Sequence, residues 1–389
     1  MRRFCFILAA ASLNVHALTE TEIQGHIDEA VKAGGGEVVI PPGVHVIERG
    51  LVIKAARNLR LIGLDAEKCV LKAPPLSYAE TAAGTPAGSD RIATARLQNI
   101  KPGMRLHIEA DGETDSFTKK PKPYMLAIVK AVEKDAIVLK EPLKFPVPAR
   151  ALVRDEAAPN LIEVRGASEG VRIEKLTLDG GRTDGDPPVR GHAQLCGVFA
   201  AGPYSYEKGP TGPKVKGVVV SRCIIQRCFG RGVAFYSVDG SSVEDSTIMD
   251  TNDEAVDLDH FTTKTIVRHN HAARCSVGVE LNDANDCAVE ANEFRDCGTG
   301  INLWRWCRMP ELNQGNRITG NLFTGARGNG IQIATGTARN TVSENEIRDS
   351  GRNGISLAGS NQIVRGNLVG GSKLKDVVVN EGEHEISAK

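Results

Sequence analysis

Three carboxylates occupy matching places in two neighbouring repeats of this 389-residue chain: Asp257 and Asp259 in Val256-Asp-Leu-Asp259, and Glu280 in Val279-Glu-Leu-Asn282. On adjacent parallel strands such residues lie about 4.8 Å apart in the pairing direction. Two carboxylates that close repel, so one holds its proton, which is the condition for a general acid beside a base or nucleophile. Glu280 is assigned as the acid and Asp257 as the base or nucleophile. Carboxyl gaps of about 5–5.5 Å belong to retaining glycosidases and gaps of about 6.5–9.5 Å to inverting ones. The facing pair Asp257–Glu280 suits the first and the diagonal pair Asp259–Glu280 the second, and both stay open.

The residues around these acids suit a sugar. The only two tryptophans, Trp304 and Trp306, fall in the strand after Glu280 at outward phase. A flat apolar face there can stack on a sugar ring, and Tyr236, Asn282 and Asn302 stand in the same two outward columns. Arg305 and Arg308 begin a longer repeat and could hold a carboxylated or sulfated sugar by forked hydrogen bonds. The loop from Arg305 to Gln314 could wall a cleft or fold over the coil, leaving the tryptophans as cover for apolar surface. Asp253, Glu254, His260, Arg268, His269 and His271 surround the same repeats, with His271 in phase with Glu293 for an ion pair. His192 and Gln194 could extend the face upstream. The carboxylate group could also bind Ca²⁺, which takes six to eight oxygens.

The repeat dictates the elements that position these groups. Segments of the form Gly-apolar-x-apolar begin at Gly232, Ala255, Gly278, Gly300, Gly330 and Gly354, separated by 23, 23, 22, 30 and 24 residues. Alternation of apolar and polar residues marks each as a strand with one buried face. A second column holds Cys223, Ser246, Asn270, Asn292, Asn321, Asn345 and Asn367, which predicts stacked amides at a tight turn. A third column, Cys228, Thr251, Cys275, Cys297 and Ser350, predicts buried small residues rather than disulfides or zinc ligands. So short a repeat has no room for a three-turn helix. A coil of parallel strands, one turn per repeat, satisfies it. The 41 glycines are assigned to its turns.

A solenoid needs its end covered. Thr19-x-x-Glu22 predicts a capping box, and Ile23, Ile27, Ala30 and Val31 form one apolar stripe of a helix stopped at Gly34. Residues 1–17 read as a signal peptide, with Arg2-Arg3, an apolar run and Val15-His16-Ala17. Residues 18–75 hold the cap and first coils, 76–159 break the rhythm as a small inserted β-subdomain with a solvated Lys119–Pro123 loop, and 160–389 carry the repeats. Lys+Arg and Asp+Glu both number 48, which argues against a nucleic-acid partner. No later stretch is apolar enough for a transmembrane segment, so the mature chain is expected to be secreted or periplasmic. Nothing in the sequence sets an oligomeric state.

Through Ile23-Gln24 to Gly36, Ile40-Pro41-Pro42-Gly43, Leu176 to Gly180 and the Asn-bearing repeats, the chain resembles the pectate-lyase-like superfamily. That resemblance implies an all-β, right-handed single-stranded parallel β-helix with an N-terminal capping helix. It covers polysaccharide lyases, glycoside hydrolases, uronate epimerases, phage tailspikes and noncatalytic periplasmic proteins, and some of its lyases use Ca²⁺. The Asp-Asp pair, Gly-His-Gly and Arg-x-Lys of polygalacturonase-like hydrolases are missing, as is the Asp-Pro-His of mannuronan epimerases. Thr251-Asn252-Asp253 only scrambles the hydrolases' Asn-Thr-Asp. Asp257, Asp259 and Glu280 are therefore not equated with catalytic residues of either group. The reading favoured is an exported glycoside hydrolase acting on a polysaccharide or oligosaccharide. A Ca²⁺-assisted lyase and a noncatalytic glycan- or envelope-binding β-helix remain alternatives.

Overall fold

The computed structural model describes residues 17–110, 123–156, 160–186, 195–307, 309 and 311–387. The expected signal segment up to His16, most of the Lys119–Pro123 loop, and His192, Gln194 and Arg308 lie outside the described residues. No helix among the described residues is long and apolar enough to cross a membrane.

Each turn of the repeat gives one short strand to each of three parallel sheets. Sheet 1 has eleven strands from Gly36–Ile40 to His384–Ser387, sheet 2 ten from Gly43–Val46 to Leu368–Gly370, and sheet 3 ten from Leu51–Lys54 to Val377–Val379, counted among the described residues. This is the right-handed parallel β-helix expected. Alternate residues of each strand turn inward: Val256, Leu258, Val279, Leu281, Ile301 and Leu303 on sheet 3 all enter one continuous core. Register follows the sequence phase, with Asp257 opposite Glu280, Glu280 opposite Asn302, Asn302 opposite Gln332 and Gln332 opposite Ser356.

At the corner between sheets 1 and 2 the asparagines form a ladder. Asn270 N donates to Asn292 Oδ1 at 2.9 Å, Asn292 N to Asn321 Oδ1 at 2.9 Å, Asn321 N to Asn345 Oδ1 at 3.0 Å and Asn345 N to Asn367 Oδ1 at 3.0 Å. The residue before each rung is left-handed, yet several are not glycine: Asp245, His269, Ala291 and Glu344 have φ of 52–56°. The repeat glycines answer a different need. A Cβ on Gly300 would sit 2.3 Å from the Gly330 carbonyl oxygen and 2.4 Å from the Phe323 ring, and one on Gly278 would meet Gly300 and Phe294 as closely. Close approach of coil to coil, rather than turn conformation, requires them. The cysteines of the third column are buried free thiols.

The capping box is formed: Glu22 N donates to Thr19 Oγ1 and Thr19 N to Glu22 Oε2. Ile23 and Ile27 of the helix Glu20–Lys32 are fully buried and join the core. A second compact unit spans 74–159 and, among the described residues, 181–186, the last beyond the boundaries expected. Among the described residues, six strands of this unit close into an antiparallel barrel around Ile92, Leu106, Ile108, Val129, Ile137 and Val153. The alanines and threonine in Arg91–Gln98 give that strand little apolar contrast, so its alternation is faint in the sequence.

Candidate functional site

The acids lie on sheet 3, on the strands Glu254–Asp259 and Val277–Asn282, with Thr299–Trp304 following. The exposed surface expected there is not what forms. Asp257 is 0% exposed, Asp259 5% and Glu280 8%. Residues without the repeat's phase cover them. The hairpin around Tyr204–Ser205 and Gly209–Pro210 brings Tyr204 against Tyr236, and Phe261, Cys307 and Leu312 pack with Tyr204, Trp306 and Met309.

Buried carboxylates need cations, and two supply them. Arg231 Nε lies 2.8 Å from Glu254 Oε2 and 2.9 Å from Asp257 Oδ2, with Nη2 3.5 Å from Asp253 Oδ2. Its single Nε–H is aimed at Glu254, which leaves Asp257 without a well-aligned hydrogen bond. Burial pushes both the Glu254 and Asp257 carboxyls well above their ordinary range, against the pull of Arg231. The second cation is His260, whose Nδ1 lies 2.9 Å from Asp259 Oδ1 and 3.3 Å from Asp283 Oδ2. Burial opposes its charge, but Asp259 and then Asp283 prevail and hold the imidazolium up to about 12. Tyr204, Tyr206 and Tyr236 surround the ring with centroids 4.8–5.1 Å away, a box suited to a cation. Asp283 also accepts N–H bonds from Trp306 and Cys307 at 2.8 and 3.0 Å, tying the covering loop to the coil.

Glu280 lies at the border of this covered region. Its Oε2 accepts from Asn302 Nδ2 at 2.9 Å. Burial raises its carboxyl to about 7; Asn302 and Trp304 work against the rise and Asp259 adds to it. The two tryptophans part company here. Trp304 stays on the outward column of sheet 3 beside Glu280, while Trp306 joins the apolar cover, their rings 5.2 Å apart edge to face.

Several expected members do not join. Asp257, expected on an exposed face, is instead fully buried against Arg231. Arg268 lies on sheet 1, bonded to Glu244 at 2.8 Å, because its position in the repeat faces another side of the coil. Arg305 turns its guanidinium onto Gly336 of the next turn. His269 and His271 sit at the ladder corner, beside Asp245 and Glu293 at 3.6 and 3.3 Å. Of the members that sequence reasoning passed over, Arg231 was legible: it precedes Gly232 as Glu254 precedes Ala255, one turn later. Asp283 follows Asn282 directly. Tyr204 and Tyr206 lie in an interruption of the repeat, where no phase points to them.

His260, Asp283 and Cys307 bring a nitrogen, an oxygen and a sulfur within 4.8 Å of one another. The set is already satisfied from within, since Nδ1 faces two carboxylates and Asp283 takes two backbone N–H groups.

Residues 215–385 match the model of the family described as periplasmic copper-binding protein (NosD). No curated protein matches the chain. Among solved structures it is similar to the A-module of the Azotobacter vinelandii mannuronan C-5 epimerase AlgE6, with TM-score 0.54 and 16% identity over 92% of this chain and 75% of that one. A glycoside hydrolase gives 0.52 and 12% over 95% and 92%. A mannuronic acid specific polysaccharide family 6 lyase from human gut microbiota gives 0.52 and 9% over 93% and 65%. The chain thus shares the right-handed parallel β-helix fold with these solved structures.

Proposed function

We propose that this protein is an exported glycoside hydrolase that cleaves a polysaccharide or oligosaccharide with inversion, using Glu280 as general acid and Asp259 as base. The observation that carries the reading is Glu280 itself: a carboxyl raised to about 7, at the edge of the cover, between Asn302 and Trp304. Near neutral pH it holds a proton to give to the leaving glycosidic oxygen. Asp259 sits on the neighbouring strand at the diagonal position, about 7–8 Å away between Cα atoms; the carboxyls of an inverting pair stand about 6.5–9.5 Å apart. Both His260 contacts fall on Asp259 Oδ1, leaving Oδ2 to take the proton of a water as that water's oxygen bonds to the anomeric carbon. Hydrolysis balances as one water consumed: its hydroxyl goes to the sugar and Glu280's proton to the departing chain.

Elimination is less well supported, because Arg231 and His260 are held by carboxylates and neither is free as a base. Ca²⁺ fits poorly for the same reason: the Arg231 guanidinium already fills the space between Asp253, Glu254 and Asp257. Copper, named in the description of the matching family, also fits poorly here. The donors of His260 and Asp283 are committed to each other, and burial raises the Cys307 thiol away from the thiolate a metal needs. The epimerase, hydrolase and lyase of similar fold support a glycan as the substrate class.

The test is a polysaccharide panel with wild type, Glu280→Gln and Asp259→Asn. New reducing ends without unsaturated sugars, inverted anomeric configuration, and at least 100-fold loss in both variants are expected. Unsaturated products, or full activity in Glu280→Gln, overturn the reading. The cover over Asp257 and Asp259 favours a second reading, a noncatalytic glycan-binding protein. That reading requires binding without turnover in all three proteins.

A further inference from the structure

On the C-terminal side of Glu280, sheet 3 presents amides in place of acids. Asn302, Gln332 and Ser356 follow one another in register on the outward face. Side chains from the flanking turns support them: Asn329 Nδ2 donates to Gln332 Oε1 at 2.9 Å and Asn380 Nδ2 to Ser356 Oγ at 2.9 Å. Asn353 steadies Asn329 by donating to its Oδ1 at 3.0 Å from the backbone and 3.1 Å from its own amide. The strands Thr299–Trp304, Ile331–Ile333 and Ile355–Leu357 contain no lysine or arginine. Arg305, next in the chain, is turned onto Gly336.

Two groups in this track are incomplete. Both are shielded from solvent: Asn302 Oδ1 has no hydrogen-bond partner, and Trp304 Nε1 lies near enough to Glu280 to lower its carboxyl but makes no well-aligned bond. Buried polar atoms in that condition are costly unless a ligand completes them. One is an acceptor and the other a donor, two residues apart on one face beside Glu280. A sugar hydroxyl can both donate and accept, so hydroxyls satisfy both atoms. A carboxylate or sulfate could accept from Trp304, but it would face the Asn302 oxygen, Glu280, Asp259 and the acids behind them. Arg231 is held by three carboxylates and His260 by two, and the exposed Arg305 lies against Gly336 of the next turn.

We infer that the glycan read on this face is a neutral one, without carboxylate or sulfate groups, and that Asn302, Trp304 and Gln332 recognise its hydroxyls. The inference rests on the proposed glycan-cleaving site but concerns binding, which is measured apart from turnover. The probes are hexasaccharides of glucose, mannose, galactose and xylose, each hexose compared with its uronate counterpart. They are titrated by calorimetry into wild type and Glu280→Gln. At least one neutral hexasaccharide is expected to bind tenfold or more tightly than its uronate counterpart. Trp304→Phe, which keeps the ring and removes the N–H, should weaken that binding about fivefold, and Asn302→Ala and Gln332→Ala about five- to tenfold each. Arg268→Ala should leave it unchanged. Tighter binding of the uronates overturns the inference. So does an absence of binding by every probe, or binding indifferent to all three track variants when their melting shows them folded. Turnover of a uronate polymer that depends on Glu280 would overturn neutrality and leave hydrolysis standing. Neutral binding without turnover would do the reverse.

Discussion

The asparagine ladder and the acidic face are built by the same operation, the stacking of one repeat position on the next, and they reach opposite results. At the ladder an amide meets an amide. Each is donor and acceptor at once, so Asn270, Asn292, Asn321, Asn345 and Asn367 satisfy one another and the backbone without further help. On sheet 3 a carboxylate meets a carboxylate, and stacking alone would leave buried like charges. That column closes only because residues outside it intervene: Arg231 among Asp253, Glu254 and Asp257, and His260 between Asp259 and Asp283. A solenoid can repeat a self-complementary side chain indefinitely, whereas a charged one holds for two turns and then gives way to Asn302 and Gln332. The break in chemical self-sufficiency marks the candidate site.

Removing the cation that holds the acidic column together should have the largest effect. Arg231→Met leaves two buried carboxyls facing each other without a counter-charge, and breaking a buried ion pair from one side costs about 3–5 kcal/mol. Urea denaturation should register that loss. A loss under 1 kcal/mol would mean that Glu254 and Asp257 are both held neutral without Arg231.

Next in size is the pH dependence of Glu280. Its folded carboxyl lies at about 7 against an ordinary 4.5, so the folded state binds the proton more tightly than the unfolded one. The stability this contributes is complete below about 4.5 and is lost as pH rises through about 7. Glu280→Gln removes the dependence, so relative to wild type it should gain stability between pH 5 and 8, by up to about 3 kcal/mol. Melting temperatures across that range check it, and parallel curves for the two proteins would sink it. Activity, where present, should fall on the alkaline side of about 7 as Glu280 loses its proton.

How much of this could be read beforehand follows from the same contrast. The phase of the repeat is a local property of the chain, so the register Asp257–Glu280–Asn302–Gln332–Ser356, the ladder and the capping helix were all legible. Even Arg231 was visible in principle from its place before Gly232. Exposure was not legible, because it depends on segments that carry no phase. Tyr204 and Tyr206 lie in one interruption and Cys307, Met309 and Leu312 in another, and nothing periodic says on which face either comes to rest. The same ambiguity attached to Trp304 and Trp306, adjacent outward positions that end on different sides of the cover. The role of glycine was misjudged for a related reason. A turn requirement is local, but the clash that excludes a Cβ at Gly300 comes from Gly330 and Phe323, in the following turn of the coil.

That clash gives the third prediction. Gly300→Ala puts a methyl group 2.3 Å from a backbone oxygen, and overpacking of this kind costs about 1–3 kcal/mol. Gly320→Ala tests a turn glycine instead: it has φ of 66° and open space around its Cβ position. Asp245, His269 and Ala291 already occupy equivalent turns, so its cost should stay under about 1 kcal/mol. Equal losses at the two sites would restore the turn explanation for the repeat glycines.

The smallest effect separates the middle of the ladder from its end. Asn292→Ala deletes donors to the Val267 carbonyl and to Asn321 Oδ1, and strands the backbone N–H of Asn270. All of these groups are buried, so the cost should be about 1–3 kcal/mol. Asn367 closes the ladder at its half-exposed end. It accepts from Asn345, but water can replace it there, and Asn367→Ala should cost under about 1 kcal/mol. If amides satisfy one another pair by pair, the two losses should differ in that proportion and add independently in the double variant. A loss at Asn367 as large as that at Asn292 would mean that the stack polarises cooperatively along its whole length. The ladder would then behave as one unit, no more self-sufficient turn by turn than the acidic column beside Arg231.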